Sequence, residues 1–408
     1  MSTHPLQPVG IKSQAMNFRA LPPLSLYIHI PWCVRKCPYC DFNSHEERGA
    51  PAQKTAEIII PEREYVAALV RDLELALPLI WGRKVYTVFF GGGTPSLLSG
   101  EGVTEILRQV RMLLPLDINA EITLEANPGT VEAGKFAQFR EAGVNRLSLG
   151  IQSFNDVHLQ ALGRIHTADE AKQAINIAQQ YFDNINLDLM YALPQQTLDE
   201  AMQDVQTALS FKPQHLSCYH LTLEPNTLFA HQPPPLPDDD ASSDMQQRIE
   251  EILAAPGYEH YETSAFAQPK RRSRHNLNYW QFGDYLGIGA GAHSKLSFHD
   301  KVLRQARYKQ PQAYMDAAIR GESVQEQHEV LPRDIAFEFM MNALRLNGGF
   351  DSVLFQERTS LPLLSIRREL EEAERRGLLI RDSQQIAPTL HGQRFLNDLL
   401  GIFLAPEH

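Results

Sequence analysis

The sequence is poor in cysteine, tryptophan and basic charge. Its 408 residues hold four cysteines and three tryptophans. So few cysteines in so long a chain exclude a disulfide-built secreted scaffold. Lys and Arg number 38 against 49 Asp and Glu, a formal net charge of -11. That balance excludes a general nucleic-acid binder, because neutralising phosphates takes clustered bases. The one basic run, Lys270-Arg-Arg-Ser-Arg274, is short and suits a solvated loop. Nowhere does an apolar run approach the roughly 18 residues of a membrane span. Residues 1–20 lack the apolar centre of a signal peptide and carry no acid, with Lys12 and Arg19 their only Lys or Arg. A transit peptide would be longer and richer in Arg and Ser. Residues 1–22 are therefore expected to be a flexible extension, with Met16 an alternative start, and the protein to be cytoplasmic.

What is present is an ordinary globular balance: 43% hydrophobic and 21% charged residues. Strand and helix signals alternate from residue 24 to about 225. Strands are predicted at Leu24–Ile30, Val85–Phe90, Glu121–Glu125, Arg146–Gln152, Asn186–Met190 and Leu216–Leu223. Helices are predicted between them, over about 100–113, 131–142, 155–162, 167–181 and 197–209. Six such units in succession imply a parallel sheet with helices outside, either a partial barrel or an open doubly wound sheet. In both, ligands bind at the carboxyl ends of the strands. The chemically informative residues lie there: cysteines after the first strand, glycines after the second, Glu125 and Asn127 at the third, Gln152 at the fourth.

The run His231-Gln-Pro-Pro-Pro-Leu-Pro-Asp-Asp-Asp240 is neither helix nor central strand and marks a boundary. Residues 231–325 are expected to be a linker and a segment carrying a strand near Tyr258–Phe266 and the glycine-rich run Leu286–His293. Beyond about 326 helical patterns at Ile335–Leu346, Leu363–Arg376 and Thr389–Leu400, with a hairpin at Leu378–Ile386, suggest a small α+β, winged-helix-like module over 326–408.

Three of the four cysteines fall within eight residues, as Cys33-Val-Arg-Lys-Cys37-Pro-Tyr-Cys40. Three thiolates on one short loop suit three irons of a [4Fe–4S] cubane, leaving the fourth iron open to a small molecule. S-adenosylmethionine (SAM) can supply an amino and a carboxylate group there. Zinc would need a fourth ligand and favours paired C-x2-C elements. His29 and His45 are at hand, but at no standard spacing. Cys218 stands far from the cluster, inside a predicted strand, and is read as packing.

This C-x3-C-x2-C loop resembles the signature of the radical SAM superfamily. The segments Tyr27-Ile-His-Ile-Pro-Trp-Cys33, Gly91-Gly-Gly-Thr-Pro-Ser96, Glu125-Ala-Asn-Pro-Gly129, Gly150-Ile-Gln-Ser-Phe154, Leu162-Gly-Arg-Ile-His166 and Asn186-Leu-Asp-Leu-Met190 resemble the oxygen-independent coproporphyrinogen III oxidase group, over roughly residues 22 to 404. Within it the chain is most similar to the haem chaperone branch. The resemblance implies a partial (β/α)6 barrel of radical SAM type over 23–230. It implies that Cys33, Cys37 and Cys40 hold the cluster and that Tyr27, Gly92 and Glu125 contact SAM. Glu125 would accept from the ribose hydroxyls. Gly93, Thr94, Gln152, Arg164 and Asp188 match positions that contact a second SAM. For Arg164 and Asp188 an internal ion pair is the competing structural explanation. Tyr39 would stack on adenine or simply pack.

Two departures point within the group. The oxidases carry a further cysteine two residues after the third, where this chain has Phe42. That puts oxidative decarboxylation of coproporphyrinogen in doubt. The segment His275-Asn-Leu-Asn-Tyr-Trp280 resembles an H-N-x-x-Y-W motif of the haem chaperone branch. It implies haem contact, with His275 as a candidate axial ligand and His293 a second. The expected activity is haem delivery to an acceptor protein, which has room to sit at a membrane, with a reductant for the cluster. Coproporphyrinogen oxidation in porphyrin biosynthesis is the alternative.

Overall fold

In a computed structural model, residues 16–46, 60–128 and 133–404 are described. The predicted strands form a parallel series: β1 (Leu24–Ile30), β2 (Val85–Gly92), β3 (Leu116–Ala126), β4 (Arg146–Gln152), β5 (Ile185–Tyr191) and β6 (His215–His220). Each pairs with the next in parallel register. Residues on both faces of β1, β4 and β5 are buried almost without interruption, as expected where helices cover a sheet. The helices α1 (Glu62–Ile80), α2 (Gly100–Leu113), α3 (Ala133–Ala142), α4 (Asp156–Ala161), α5 (Ala168–Tyr181) and α6 (Leu198–Ser210) supply that cover. Local chemistry sets where two of them begin. Thr167 with Glu170, and Thr197 with Glu200, form reciprocal capping boxes at the starts of α5 and α6.

The chain after residue 231 does not stand apart as a linker segment. After α7 (Leu228–His231) and α8 (Asp239–Ala254), the predicted strand near Tyr258–Phe266 is a hairpin, β7 (Glu259–Glu262) and β8 (Ala265–Ala267), whose second strand pairs antiparallel with β6. Following α9 (Arg274–Trp280), β9 (Asp284–Ile288) crosses to the opposite edge and pairs in parallel with β1. Antiparallel strands β10 (His293–Ser297), β11 (Val302–Arg307) and β12 (Val324–Glu329) extend that edge. α10 (Pro311–Arg320) bridges the last two. The sheet runs β12-β11-β10-β9-β1-β2-β3-β4-β5-β6-β8-β7, twelve strands that do not close into a barrel among the described residues.

The C-terminal unit has a second core. It contains α11 (Pro332–Ala343), β13 (Phe350–Asp351), α12 (Ser352–Thr359), α13 (Arg367–Arg375), β14 (Leu379–Arg381), β15 (Gln385–Pro388), α14 (Leu390–Arg394) and α15 (Leu396–Gly401). The small sheet runs β13-β15-β14. The helix expected over Thr389–Leu400 breaks at Phe395 into α14 and α15.

One expectation at the amino end is corrected. Residues 16–22 are not a free extension: Met16 and Phe18 are buried in the C-terminal core beside Phe282, Val302 and Ile335. The Asn17 amide donates to Ser360 Oγ at 2.6 Å, and the Phe18 amide to the His299 carbonyl at 2.9 Å. Two large apolar side chains gain burial there, which outweighs the low order suggested by local composition. Residues 1–15 lie outside the described residues.

Candidate functional site

The carboxyl ends of β1 to β6 enclose three adjoining spaces. A cavity of about 310 Å³ is lined by Cys33, Cys37, Cys40, Gly92, Gly93, Thr94, Glu125, Gln152, Arg164 and Asp188, among others. A polar chamber of about 190 Å³ continues inward, sharing Glu125, Asp188 and Tyr219. A wider cleft of about 750 Å³ opens on the other side of Glu125, Gly92 and Phe42. Tyr27 lines the inner chamber and the wide cleft but not the cysteine cavity. The other SAM-type positions named from sequence all face the cysteine cavity.

The cysteine loop leaves β1 at Pro31 and turns back at Cys37–Cys40, where the Cys40 amide donates to the Cys37 carbonyl at 3.1 Å. All three thiols line one cavity, and none is in a disulfide. Among the described residues no three His, Cys, Asp or Glu side chains converge on one ion position. A cubane asks for no such convergence, since each sulfur takes its own iron; a tetrahedral zinc does. Burial pushes the Cys33 and Cys40 thiols up, partly offset at Cys33 by Thr94, whose hydroxyl donates to Sγ at 3.5 Å. Positive charge beside the loop comes from Arg164. Its Nη1 donates to Cys37 Sγ at 3.6 Å and its Nη2 to the Gly150 carbonyl at 2.9 Å and to Asn127 Oδ1. Asn127 Nδ2 in turn donates to Thr94 Oγ1 at 3.0 Å. Asn127, placed from sequence only as a strand-end residue, thus ties two cysteine-contacting side chains together.

Gly92 and Gly93 owe their identity first to the protein itself. A Cβ at Gly92, where φ is +115°, would stand 2.6 Å from the His29 ring; one at Gly93 would stand 2.4 Å from the Trp32 carbonyl oxygen. Small size lets the end of β2 pass against the cysteine loop. At the end of β4, Gln152 has φ +67°, a conformation sparsely used by residues with a side chain. Such strain persists only where the surroundings hold it, here at a ligand edge.

The acids are electrostatically unusual. Burial and the neighbouring Asp188 carboxyl raise Glu125 to about 8, against a hydrogen bond from the Gly92 backbone. Burial also raises Asp188, whose oxygens accept from Ser148 Oγ at 3.1 Å and Asn186 Nδ2 at 2.8 Å. No ion pair joins Asp188 to Arg164 among the described residues: each has its own partners. Tyr39 packs on Phe229, ring centroids 6.3 Å apart, and also lines the cavity. Phe42 is 62% exposed and borders both the cysteine cavity and the wide cleft. Cys218 is buried in β6, outside the cavity, and burial pushes its thiol up to about 12.

His275, the candidate axial ligand, has both ring nitrogens engaged by protein groups in this arrangement. It lies on α9, 1% exposed. Its Nδ1 shares a hydrogen bond of 2.7 Å with Thr87 Oγ1, and its Nε2 one of 3.2 Å with Tyr279 Oη. Thr87 donates onward to Ser25 Oγ at 2.8 Å, so Nδ1 carries the proton and Nε2 accepts. Burial, with Arg146 nearby, lowers the imidazole to about 3 and keeps it neutral. Neither nitrogen has a lone pair to spare for a metal. His275, Asn276 and Tyr279 line the inner chamber, and Tyr279 the wide cleft as well, while Trp280 is covered by Arg345, whose guanidinium carbon lies 4.4 Å from the ring centroid.

Comparison with known proteins gives consistent matches. The radical SAM superfamily matches residues 27–208, and the HemN C-terminal domain residues 330–395. "Heme chaperone HemW" of Escherichia coli (strain K12) is 49% identical over 94% of this chain and 99% of its own. "Heme chaperone HemW" of Haemophilus influenzae is 47% identical over 95% and 99%. Mouse "Radical S-adenosyl methionine domain-containing protein 1, mitochondrial" is 35% identical over 94% and 87%. Among solved structures, coproporphyrinogen III oxidase (HemN) from E. coli superposes with a TM-score of 0.77 at 23% identity, covering 94% of this chain and 90% of that one. That likeness concerns the fold.

Proposed function

The chain belongs to the heme chaperone HemW family of radical SAM proteins, and we propose on that basis that it binds haem and transfers it to an acceptor protein. The observation that carries the reading is the near-full-length identity to named haem chaperones. The radical SAM domain implies a [4Fe–4S] cluster and SAM. When bound, the cluster supplies one-electron reduction and an open iron for the amino and carboxylate groups of SAM. Cys33, Cys37 and Cys40 would hold it. Thr94 and Arg164 would stabilise the thiolate charge through their contacts to Cys33 and Cys37. Glu125, Gln152 and Asp188 would orient a cationic ligand, with Gly92, Gly93 and Tyr27 shaping its seat. A second SAM at Gly93, Thr94, Gln152, Arg164 and Asp188 remains part of the proposal. So do a cytoplasmic location, a reductant for the cluster and the division into a radical SAM unit over 23–230 and a C-terminal module over 326–408.

Haem titration of the anaerobically reconstituted protein tests the reading. A Soret change that saturates at stoichiometric haem is expected; its absence contradicts the proposal. The same preparation with SAM, dithionite and coproporphyrinogen III decides the alternative. Conversion to protoporphyrinogen IX would replace haem delivery with oxidative decarboxylation.

A further inference from the structure

Beyond the edge formed by Tyr27, Gly92 and Glu125, the wide cleft carries none of the three clustered cysteines and none of the second-SAM positions. It holds about 750 Å³, at the upper part of the range for small-molecule sites. Its walls include the rings of Tyr279, Tyr285 and Phe42, three imidazoles, and Lys36 and Lys309 against Asp41. Such a space suits a large flat ligand with aromatic faces and negative edges. It meets the cysteine cavity along Phe42, Ser44, Gly92 and Glu125.

The three imidazoles are not equivalent. His29 uses both nitrogens: Nδ1 with Tyr27 Oη at 3.1 Å and Nε2 with the Asn43 carbonyl at 2.8 Å. His45 donates Nε2 to Asn43 Oδ1 at 3.3 Å and to the Lys309 carbonyl at 3.1 Å, which fastens the ring to the cleft wall and leaves only Nδ1 uncommitted among the described residues. His293, at the start of β10, makes no ring hydrogen bond among the described residues and is exposed. An imidazole binds iron only through an uncommitted, unprotonated nitrogen. Partial desolvation at the cleft wall lowers the His293 ring from its ordinary range, helped by Lys309, Arg304 and Arg307 and opposed by Glu326. That direction favours the unprotonated ring that a metal requires.

We propose that the wide cleft is the haem seat and that His293 is the axial ligand to the iron. Lys309 is the cation placed for a propionate, since its ammonium makes no hydrogen bond or ion pair among the described residues. Lys36 is the second, although it already donates to the Phe42 carbonyl at 3.1 Å and the Ser44 carbonyl at 3.4 Å. The inference rests on the haem-binding reading above and assigns that function a place and a ligand. It moves the iron from His275, whose two ring nitrogens are hydrogen-bonded to Thr87 and Tyr279, to a ring on the wide cleft that makes no hydrogen bond among the described residues.

The test is haemin titration of the full chain, followed by optical and EPR spectroscopy, in the unaltered protein, H293A and K309A. In H293A, haem affinity should fall at least tenfold and any low-spin histidine signature should be lost. Added imidazole should restore that signature. In K309A, affinity should fall severalfold with the Soret position unchanged. His293 and Lys309 are both exposed, so both variants should keep the parent melting temperature. Unchanged affinity and spectrum in H293A overturn the inference while leaving haem binding intact. No Soret change in the unaltered protein removes the haem reading and this inference together.

Discussion

The side-chain amide of Asn43 donates to the carbonyl of Lys309 at 2.8 Å, joining positions 266 residues apart. The same nitrogen donates to the Ala290 carbonyl at 3.0 Å. Asn43 sits three positions after Cys40, and Lys309 lines the wide cleft. The loop that carries the cysteines is thereby fastened to the far wall of the neighbouring space. Cluster loop and cleft wall are one mechanical unit, which gives the two sites a physical route to influence each other.

N43A strips two carbonyls of their donor and removes an anchor for the loop. Leaving partly buried polar groups unpaired costs about 1–3 kcal/mol. The variant should unfold at lower urea than the parent by that amount. It should still assemble the cluster, measured as acid-labile sulfide per chain. Parental stability would show that the clamp contributes nothing.

Each of C33A, C37A and C40A should lose the iron–sulfur absorbance while retaining the parental far-ultraviolet circular dichroism. C218A should keep the full absorbance, because Cys218 is packed within β6 and lines no part of the cavity. Loss of cluster in C218A, or its retention in C37A, contradicts the ligand assignment.

Glu125 has a folded pKa of about 8, above its ordinary 4.5. Its protonated form therefore dominates the ligand-free cavity at pH 7. A cationic ligand favours the carboxylate, so SAM binding at pH 7 should release a proton, and affinity should rise with pH and level off above about 8. Calorimetry of the cluster-loaded protein in buffers of different ionisation heat measures the release, and E125Q should abolish it. The sign for stability is opposite. A group with a raised folded pKa stabilises fully below its unfolded value, and that contribution is lost as pH rises through about 8. The ligand-free parent should lose stability between pH 5 and 9 relative to E125Q.

Asp72 on α1 holds the turn that precedes His293. Its carboxylate accepts from Arg307 Nη2 at 3.3 Å, Tyr314 Oη at 2.9 Å, Ser323 Oγ at 2.7 Å and the Gly289 amide at 3.3 Å. Both Asp72 and Arg307 are fully buried. D72A leaves an uncompensated guanidinium in the interior, a change that costs about 3–5 kcal/mol. Chemical denaturation should show a loss of that size; a loss below about 1 kcal/mol would mean that the network is dispensable.

What the sequence disclosed is what local periodicity and motif spacing encode. β1, β2, β4, β5 and α2 to α6 begin and end within two residues of expectation, because apolar runs and capping residues act locally, whereas β3 starts at Leu116, five residues before the expected Glu121. The predicted sixth strand ran to Leu223 but pairs only to His220. The parallel pairing of β9 with β1 joins Leu24 to Asp284. No local pattern specifies so distant a partner, so residues after 231 looked separate from the sheet they complete. Met16 and Phe18 are buried for the same reason: their partners, including Phe282 and Ile335, are remote in sequence. At the site, residue types bearing metal or charge chemistry were visible. Asn43 and Asn127 were not marked as fasteners, since an asparagine announces its role only through the groups it reaches. The motif around His275 was visible too, but that both ring nitrogens are already bonded depends on Thr87 and Tyr279 in three dimensions.

The most direct measurement is EPR of the anoxically reconstituted, dithionite-reduced full chain, with and without SAM. A [4Fe–4S] signal that shifts when SAM is added is the predicted result, since SAM occupies the iron left without a cysteine. No iron–sulfur signal, or one that SAM leaves unchanged, would contradict the account.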